Sequence, residues 1–430
     1  MRKIALLFLL TFPFLLKAEI YRLPVVGPID TLMEEYVVGA LKEIEKRGDA
    51  KLVILEVDTP GGYDGSMREI IKQMLATPVP VVVYVFPRGA RAASAGFFLA
   101  IAADIAAMAP GTNMGAAHPV SITGSDIEKT MKDKVTNDAA SYIKALARKR
   151  NRNLELAEKA VRDSESYTAE ECLKNGLIDL IATDSQDLVA RLENRTVSKE
   201  NRPDTTLQLK NEKIVVWEMS SRQKFLRTIT NPNLAYFLLI FGLIGLYIEF
   251  THPGVVIPGV LGGISLLLAF LSFQVLPINY VGLGLILLSI GFFVAEIKVQ
   301  GFGLLGVGGI VSFILGSIIL VDSPIPEMRP AMSIIITFGL MFAAVLLFLT
   351  YKVMQAMRRK TRTGQEGIIG EMGVARTKID SRGGRVFVHG EWWNATSVEP
   401  IPAGARIVVK EIRNLVLEVI KSGGEKNAVQ

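Results

Sequence analysis

The sequence has almost no cysteine. Cys172 is the single one among 430 residues, so no disulfide bond can form within the chain. The redox state of the compartment is therefore left open, and a fold held together by internal disulfides is excluded. Cys172 lies in the helix-like stretch TAEECLKNGL, where we expect a small residue buried in the core.

The sequence also has little net charge. The formal value is +6, and much of it lies in one basic cluster, formed by Lys352, Arg358, Arg359, Lys360 and Arg362. Such a balance gives little reason to expect a nucleic-acid partner. Because the cluster directly follows an apolar run, we expect it to flank a membrane span on the cytoplasmic side, close to the lipid.

Apolar sequence is plentiful, at 50% of the chain, which exceeds what one soluble globular domain needs. The first segment, MRKIALLFLLTFPFLLKAEI, places Arg2 and Lys3 before an apolar run that ends at Ala18. This pattern predicts a signal peptide over residues 1–18, cleaved near Ala18–Glu19. The part that follows should lie outside the cytoplasm.

Residues 19–200 alternate short β-branched runs with amphipathic segments, which predicts an α/β domain with buried strands. The runs are KLVILEV, SMREIIKQML, VPVVVYVF, ASAGFFLAIAA and NDAASYIKALARKR. The sequence then becomes polar, and over residues 201–230 we expect an exposed linker or a short terminal hairpin.

Residues 231–355 form a series of apolar blocks, each close to the roughly 20 residues that cross a bilayer. About five spans are expected, near 234–250, 255–275, 279–297, 301–321 and 331–353. An odd number places the exported domain and the basic cluster on opposite sides. Arg222, Lys224 and Arg227 precede the first span on its outer side, against the usual charge rule, but the signal peptide already commits that domain to export.

An internal repeat lies within these spans. Glu249, Gly254, Gly259 and Gly262 recur at one constant offset as Glu296, Gly301, Gly306 and Gly309. The spacing is typical of a duplicated two-span unit whose copies point the same way. The glutamates could bind a cation or proton, but solvation at the membrane boundary is the favoured interpretation.

Residues 364–422 alternate β-branched residues with glycine-containing turns, which predicts about five short strands and no helix. That size and rhythm is typical of a small all-β barrel. For the neighbours Trp392 and Trp393 we expect one side chain to point inward and the other outward, although an exposed stacking platform is the alternative.

Acyl transfer needs a nucleophile, a base and donors for the developing oxyanion. Ser94 lies in GARAASAGFFLAIAA, where small residues allow a sharp strand-to-helix turn and leave the N–H of Ala95 free at the helix start. The loop DTPGG at residues 58–62 offers a second donor at Gly62. Each motif alone is weak.

Two bases compete on residue type alone. Lys134 leads an apolar-striped helix, and a lysine can serve as the base only where burial lowers its pKa below the free value of about 10.4. His118, in GAAHPV, would make a serine–histidine pair, with Asp126, Asp133 or Asp138 as orienting carboxylates. The residues by themselves do not choose between Lys134 and His118.

The combination of DTPGG, ASAG, APGTNMGAAHPV and KVTNDAASYIKALARKRNRN with the glycine-rich spans and a WWNA-containing β domain resembles the long-form NfeD proteins. The resemblance covers nearly the whole chain. It implies a Clp/crotonase-like α/β protease domain, related to signal-peptide peptidase A, then a multi-span α-helical region and a C-terminal OB-fold barrel. It also implies a serine–lysine dyad at Ser94 and Lys134, with Gly62 and Ala95 as the oxyanion hole and His118 as an alternative base.

The resemblance further implies a membrane-anchored serine endopeptidase that cleaves apolar segments of stomatin-like membrane proteins. Contact with lipid and a homo-oligomer are expected, with the protease domain extracytoplasmic and the barrel cytoplasmic. No cofactor, metal or nucleic acid is expected. Two other classes stay open, a non-enzymatic membrane scaffold and a crotonase-type acyl-CoA enzyme. Export disfavours the latter, because CoA thioesters are cytoplasmic.

Overall fold

The computed structural model describes residues 19–120, 129–199, 202–299, 303–323, 325–357 and 365–423. The predicted signal peptide lies outside the described residues, as do four arginines and lysines of the basic cluster, Asp126 and Gly301. The chain forms two compact units, Met1–Phe342 and Ala343–Gln430.

The first unit contains eleven of the described strands. They are β1 (Glu19–Val26), β2 (Ala50–Asp58), β3 (Val81–Val85), β4 (Arg91–Ala93), β5 (Ile105–Met108), β6 (Asn113–Gly115), β7 (Ser166–Thr168), β8 (Leu180–Ile181), β9 (Thr196–Val197), β10 (Thr205–Thr206) and β11 (Lys213–Val216). Six of them form a parallel sheet in the order β11-β1-β2-β3-β5-β8. A small second sheet has the order β4-β6-β7.

Helices cover both faces of the parallel sheet. The first eight described are α1 (Thr31–Arg47), α2 (Asp64–Ala76), α3 (Ala95–Ala102), α4 (Lys129–Lys149), α5 (Leu154–Arg162), α6 (Ala169–Lys174), α7 (Ser185–Leu192) and α8 (Ser221–Ile229). The start of α1 is fixed by Asp30, whose carboxylate accepts the N–H of Met33 at 2.8 Å. Its end is fixed by Gly48, which adopts the left-handed conformation.

The predicted α/β alternation is confirmed. The VVVYV strand β3 is buried along its whole length, as expected for a parallel strand covered on both faces. One hydrophobic cluster lies on each face of the sheet, and Cys172 belongs to the larger, so its expected burial is also confirmed.

The polar stretch after residue 195 contributes more than the expected linker or hairpin. Strands β9 and β10 do pair as a short antiparallel hairpin. Beyond them β11 adds to the main sheet, parallel to β1, with Tyr21 opposite Val215. Helix α8 then leads into the apolar region.

Five apolar helices follow in the part of the chain that the structure describes. They are α9 (Pro232–Thr251), α10 (Ile257–Phe273), α11 (Tyr280–Val299), α12 (Leu304–Ile319) and α13 (Met332–Met357). The first unit ends at Phe342, within the last of them. Two stretches, Pro232–Thr251 and Met332–Lys352, are long and apolar enough to cross a membrane by length and composition. The other three carry shorter apolar stretches, Ile257–Phe273, Tyr280–Glu296 and Leu304–Ile319.

The α10–α11 and α12–α13 connections lie close to the start of α9. Ile278 and Val321, from the α10–α11 and α12–α13 connections, form an antiparallel bridge. The N–H of Ala331, just before α13, donates to Asn233 Oδ1 at the start of α9 over 2.7 Å. The Ser272 hydroxyl near the end of α10 donates to the Ile229 carbonyl at the end of α8 over 2.7 Å. The start of α9 and these two connections therefore lie at one end of the helix group.

The two copies of the predicted repeat lie in two helical hairpins, α9–α10 and α11–α12. In the first, Glu249 accepts the N–H of Gly254 at 3.4 Å. In the second, Glu296 accepts the N–H groups of Gly303 and Gly306 at 2.7 and 3.2 Å. In both copies, therefore, a glutamate near the end of one helix accepts backbone N–H groups from just before or within the first turn of the following helix. The helix dipole favours negative charge at that end.

The second unit contains a closed five-stranded barrel. After a short helix, α14 (Gln365–Ile368), its strands are β12 (Met372–Ala375), β13 (Gly384–Val388), β14 (Glu391–Thr396), β15 (Arg406–Arg413) and β16 (Val416–Lys421), in the order β12-β13-β14-β16-β15. This barrel is consistent with an OB-fold. Trp392 is 62% exposed while Trp393 packs against the barrel core, which confirms one outward and one inward side chain.

Candidate active site

Ser94 occupies a sharp turn between β4 and α3. Its backbone adopts φ 51° and ψ −115°, a strained conformation for a residue with a side chain. The turn is held because the Ser94 N–H donates to the Gly115 carbonyl at 2.9 Å. The side chain is half-buried at the start of α3. The predicted strand-to-helix turn at Ser94 is therefore present.

The DTPGG loop follows β2 and packs directly against this turn. A Cβ atom at Gly61 would lie 2.7 Å from Ser94 Cβ and 3.2 Å from its Oγ, and the Gly61 φ is +118°. Only glycine suits that position, because it combines a positive φ with a close approach. The structure thus brings the glycine loop and Ser94 together.

Thr59 fixes the glycine loop to the serine turn. Its N–H donates to the Arg91 carbonyl at 2.7 Å, and its carbonyl accepts the Ala93 N–H at 3.1 Å. Its hydroxyl group lies 3.1 Å from both the N–H and the carbonyl of Gly61. Gly96 lets this happen, since a Cβ there would lie 2.4 Å from Thr59 Cγ2.

Two backbone N–H groups border the turn. Ala95 is the first residue of α3, so its N–H has no partner within that helix. Gly62 is flanked by two bonds to Ile29, since Ile29 N–H donates to Gly61 and Tyr63 N–H donates to Ile29. In a parallel bridge of this pattern the middle residue directs its own N–H to the opposite side, away from Ile29.

Lys134 lies near the start of α4, and its side chain is exposed. Four residues later, or about 6 Å along the helix axis, Asp138 is paired at 2.6 Å with Arg68 of α2. The same helix packs on α3 through Tyr142, whose ring stacks on Phe98 with centroids 6.0 Å apart. These contacts hold α4 beside α2 and α3. No hydrogen bond joins Lys134 to Ser94 within the described residues.

His118 lies after β6 and faces α5. Its Nδ1 is 3.0 Å from the Val161 carbonyl oxygen. A carbonyl only accepts, so this contact places a proton on Nδ1, and in the neutral ring the lone pair is then on Nε2. The partner of Nδ1 is thus a backbone carbonyl rather than Asp133 or Asp138, and Asp138 is engaged by Arg68.

Sequence reasoning did not single out Thr59, Gly96, Gly115 or Arg68. Thr59 lies in DTPGG and Gly96 in ASAG, so a contact between these two motifs could have been suspected from the sequence. Nothing in the sequence signals the carbonyl of Gly115 or the pairing of Arg68 with α4. Within the described residues, no group of three or more His, Cys, Asp or Glu side chains could hold a metal ion.

Family models match most of the chain in three consecutive segments. Residues 19–216 match the NfeD1b N-terminal domain, residues 233–352 the NfeD integral membrane domain, and residues 365–421 the NfeD-like C-terminal, partner-binding domain. Membrane-bound protease PH1510 of Pyrococcus horikoshii is 34% identical over 99% of this chain and 100% of its own length. The chain belongs to the NfeD family.

A second NfeD relative is membrane protein NfeD1b of Bacillus subtilis, which is 28% identical over 69% of this chain and 66% of its own length. The relationship to a membrane-bound protease supports a protease function, and the integral membrane domain supports a membrane location. The fold class expected from the sequence, a protease-like α/β domain, apolar helices and a C-terminal barrel, is confirmed.

Solved structures similar to this NfeD chain are of an N-terminal domain. One, described as the 1510-N membrane protease specific for a stomatin homolog from Pyrococcus horikoshii, is 31% identical, covers 50% of this chain and 99% of that chain, and has a TM-score of 0.44. Another is a lysine-to-alanine mutant of the 1510-N membrane-bound stomatin-specific protease in complex with a substrate peptide. It is 32% identical, covers 50% of this chain and 98% of that chain, and has a TM-score of 0.46.

Proposed function

We propose that this NfeD protein is a membrane-anchored serine endopeptidase in which Ser94 is the nucleophile and Lys134 the general base. The N–H groups of Ala95 and Gly62 form the oxyanion hole. The observation that carries the proposal is the strained Ser94 turn at the start of α3, which packs directly against Gly61. No residue with a side chain fits at position 61. Strain of this kind is typical of functional sites.

The chemistry follows from these groups. Ser94 Oγ attacks the peptide carbonyl while its proton passes to the neutral amine of Lys134. The Lys134 side chain is exposed, so the proposal requires bound substrate to exclude water from this amine. Negative charge develops on the carbonyl oxygen, where the two backbone N–H groups and the start of α3 stabilise it. Lys134 then gives the proton to the leaving amine as the C–N bond breaks, which leaves an acyl-enzyme on Ser94. In the second half, Lys134 takes a proton from water as the water attacks the acyl carbon, and returns it to Ser94 Oγ as the ester bond breaks.

The proposed substrates are apolar segments of membrane proteins, in particular stomatin-like partners. The support is that a relative's domain is described as specific for a stomatin homolog. The C-terminal barrel matches a partner-binding domain, and it exposes Trp392, which has Phe387 5.7 Å away in an edge-to-face contact. Lipid contact and a homo-oligomer remain part of the proposal.

The proposed topology has about five spans, with the protease domain outside and the barrel in the cytoplasm. The arrangement of the apolar helices supports alternation. The connections α10–α11 and α12–α13 meet at the same end as the start of α9, which follows the protease domain directly. That is the arrangement that five consecutive crossings would require. The shorter apolar stretches of α10, α11 and α12 would fit a bilayer that is locally thinned.

A serine-reactive phosphonylating probe tests the proposal on the full-length protein in detergent. We expect covalent labelling of the wild type and none of Ser94→Ala. Peptide hydrolysis should disappear in the same variant. A scaffold without activity would not be labelled at all, and an acyl-CoA enzyme would turn over CoA thioesters but not peptides.

A serine–histidine protease is the second candidate, because one observation favours it. With His118 Nδ1 donating to the Val161 carbonyl, the neutral ring would present Nε2 as the proton acceptor that a histidine base requires. The two candidates share Ser94 and differ only in the base.

A further inference from the structure

The loops around Ser94 contact the apolar helices as well as each other. Tyr63 directly follows Gly62, and its hydroxyl group donates to the carbonyl of Val275, two residues beyond the end of α10, over 3.1 Å. The Tyr63 side chain is half-buried, and this burial raises its pKa to about 12, with a smaller contribution from the charge of Asp30. The segment just after α10 is thus hydrogen-bonded to the residue that follows the glycine loop.

A second contact reaches the other side of Ser94. Arg91 begins β4, three residues before the serine, and its guanidinium group lies 2.5 Å from Glu327 in the α12–α13 connection. The Arg91 backbone is itself bound to the glycine loop strand, since its N–H donates to Asp58 at 3.2 Å and its carbonyl accepts from Thr59 at 2.7 Å. A shift of Arg91 would therefore move both halves of the site.

Glu327 is held in place by its neighbours. Met328 is buried, and the Arg329 side chain donates to the Ser323 carbonyl. The N–H of Ala331 donates to Asn233 of α9. Before Glu327, the Asp322 N–H donates to the Pro277 carbonyl of the α10–α11 connection at 3.1 Å. The connection is thus held on both sides of Glu327, and the carboxylate is a fixed point for Arg91.

We propose that the membrane region is part of the catalytic assembly: Glu327, through Arg91, and the end of α10, through Tyr63, position the Ser94 turn and the glycine loop. This inference rests on the proposed function of Ser94. Arg91, Tyr63 and Glu327 are positioning residues, because none of them needs to touch the substrate. Catalytic rates respond to small displacements of the reacting groups, so contacts of modest strength can still be visible in the rate.

The decisive experiment is charge reversal in the full-length protein, read as the rate at which the serine-reactive probe labels Ser94. Arg91→Glu and Glu327→Arg should each lower the maximal labelling rate by about two- to fivefold, the range of an exposed ion pair. The probe concentration giving half the maximal rate should change little. The double variant restores the attraction with reversed signs and should recover the rate to within about twofold of the wild type.

A matched pair supplies the control. Arg222 of α8 and Glu35 of α1 lie 2.6 Å apart and also join the protease domain to the helix before the first span, but they touch neither loop at Ser94. Arg222→Glu and Glu35→Arg should leave the labelling rate unchanged. For the second contact, Tyr63→Phe should lower the rate, while Tyr36→Phe, which removes a similar bond to the Trp217 carbonyl, should not.

The outcomes separate the inference from the proposed function. Labelling of the wild type that is unaffected by Arg91→Glu and Tyr63→Phe would overturn the inference and leave the protease intact. A slow Arg91→Glu variant that Glu327→Arg fails to rescue would also overturn it, since Arg91 would then act only within its own domain. A wild type that never reacts at Ser94 would remove the proposed function and the inference with it.

Discussion

Gly61 and Ser94 lie so close together that no side chain fits between them. A Cβ atom at Gly61 would lie 2.7 Å from the Ser94 Cβ, and the positive φ of +118° would strain any L residue at that position. Two loops separated by more than thirty residues in the chain therefore meet at one point. The proposed nucleophile and oxyanion hole both depend on that approach.

Gly61→Ala should stop the reaction while leaving the protein folded. The added methyl group crowds Ser94 and moves the loop, so labelling by the serine-reactive probe should fall by about 100-fold or more. The backbone strain should cost about 1–3 kcal/mol, which a domain of this size tolerates. Thermal unfolding measured beside the labelling rate separates the two effects.

Gly65→Ala is the matched control for this substitution. Gly65 lies four residues further on in α2, and a Cβ there meets nothing within 4 Å. It should keep the wild-type rate and unfold at the same temperature or slightly above, because alanine favours the helix. A Gly61→Ala protein as active as Gly65→Ala would contradict the role given to the loop.

Much of this site could be predicted because its parts are local. The strand before each loop is a continuous apolar run, and glycine or other small residues after it indicate a sharp turn. The sharp turn at Ser94 and the glycine loop were therefore predicted from the sequence, and the structure brings them together. The roles of Ser94, Ala95 and Gly62 stay predictions. The helix of Lys134 was likewise predicted from its apolar stripe, and Tyr142 of that stripe does pack on Phe98.

The contacts that cross the fold could not be predicted in the same way. Tyr63 and Val275 are 212 residues apart in the chain, and Arg91 and Glu327 are 236 apart. A tyrosine after a glycine loop and an exposed arginine have no periodicity that points to a distant partner. Similarly, the polar stretch before α8 gave no sign that β11 would join the sheet, because an edge strand of four residues carries a weak pattern.

Lys134→Ala and His118→Ala should separate the two candidate bases. We expect Lys134→Ala to lose most peptide hydrolysis, because no other group would accept the serine proton. His118→Ala should stay folded and substantially active, since the N–H groups of Ala116 and Ala117 also hold this segment, through the Glu165 and Ala160 carbonyls. Collapse of the histidine variant alone would reverse the assignment.

The pH dependence of hydrolysis checks the same assignment independently. A base must be neutral to accept a proton, so the rate should rise with pH and then level off. A free lysine becomes neutral in more alkaline solution than a free histidine. Loss of the rise in Lys134→Ala, but not in His118→Ala, would tie it to the lysine.

Cys172 should be unreactive in the folded protein. Burial raises the pKa of its thiol to about 12, with smaller contributions from Glu171 and Glu170, so the thiol stays protonated at pH 8. We expect iodoacetamide to leave the native protein unmodified at pH 8 and to alkylate it after denaturation. Peptide hydrolysis should survive the treatment, and rapid inactivation would point to a cysteine nucleophile instead.

The same shift has a consequence for stability, with a defined sign. The unfolded thiol ionises near pH 8.5, whereas the folded one stays neutral to about pH 12. The contribution of Cys172 is fully present below the lower value and is lost progressively as the pH rises above it. Cys172→Ala should therefore reduce the fall in unfolding temperature between pH 8 and pH 10.

The two ends of the chain should lie on opposite sides of the membrane. An odd number of spans after an exported domain places residues 364–430 in the cytoplasm, behind the basic cluster at residues 352–362. A reporter enzyme that works only in the cytoplasm should be active when fused after Gln430 and inactive when fused after Asn201. A reporter that works only outside should give the reverse at the same two positions, which controls for expression.

If both positions report one side, one apolar helix does not cross. Helix α10 would be the first to examine, because Pro253 and Pro258 border its start and Val256 at its N-cap has a positive φ of 53°.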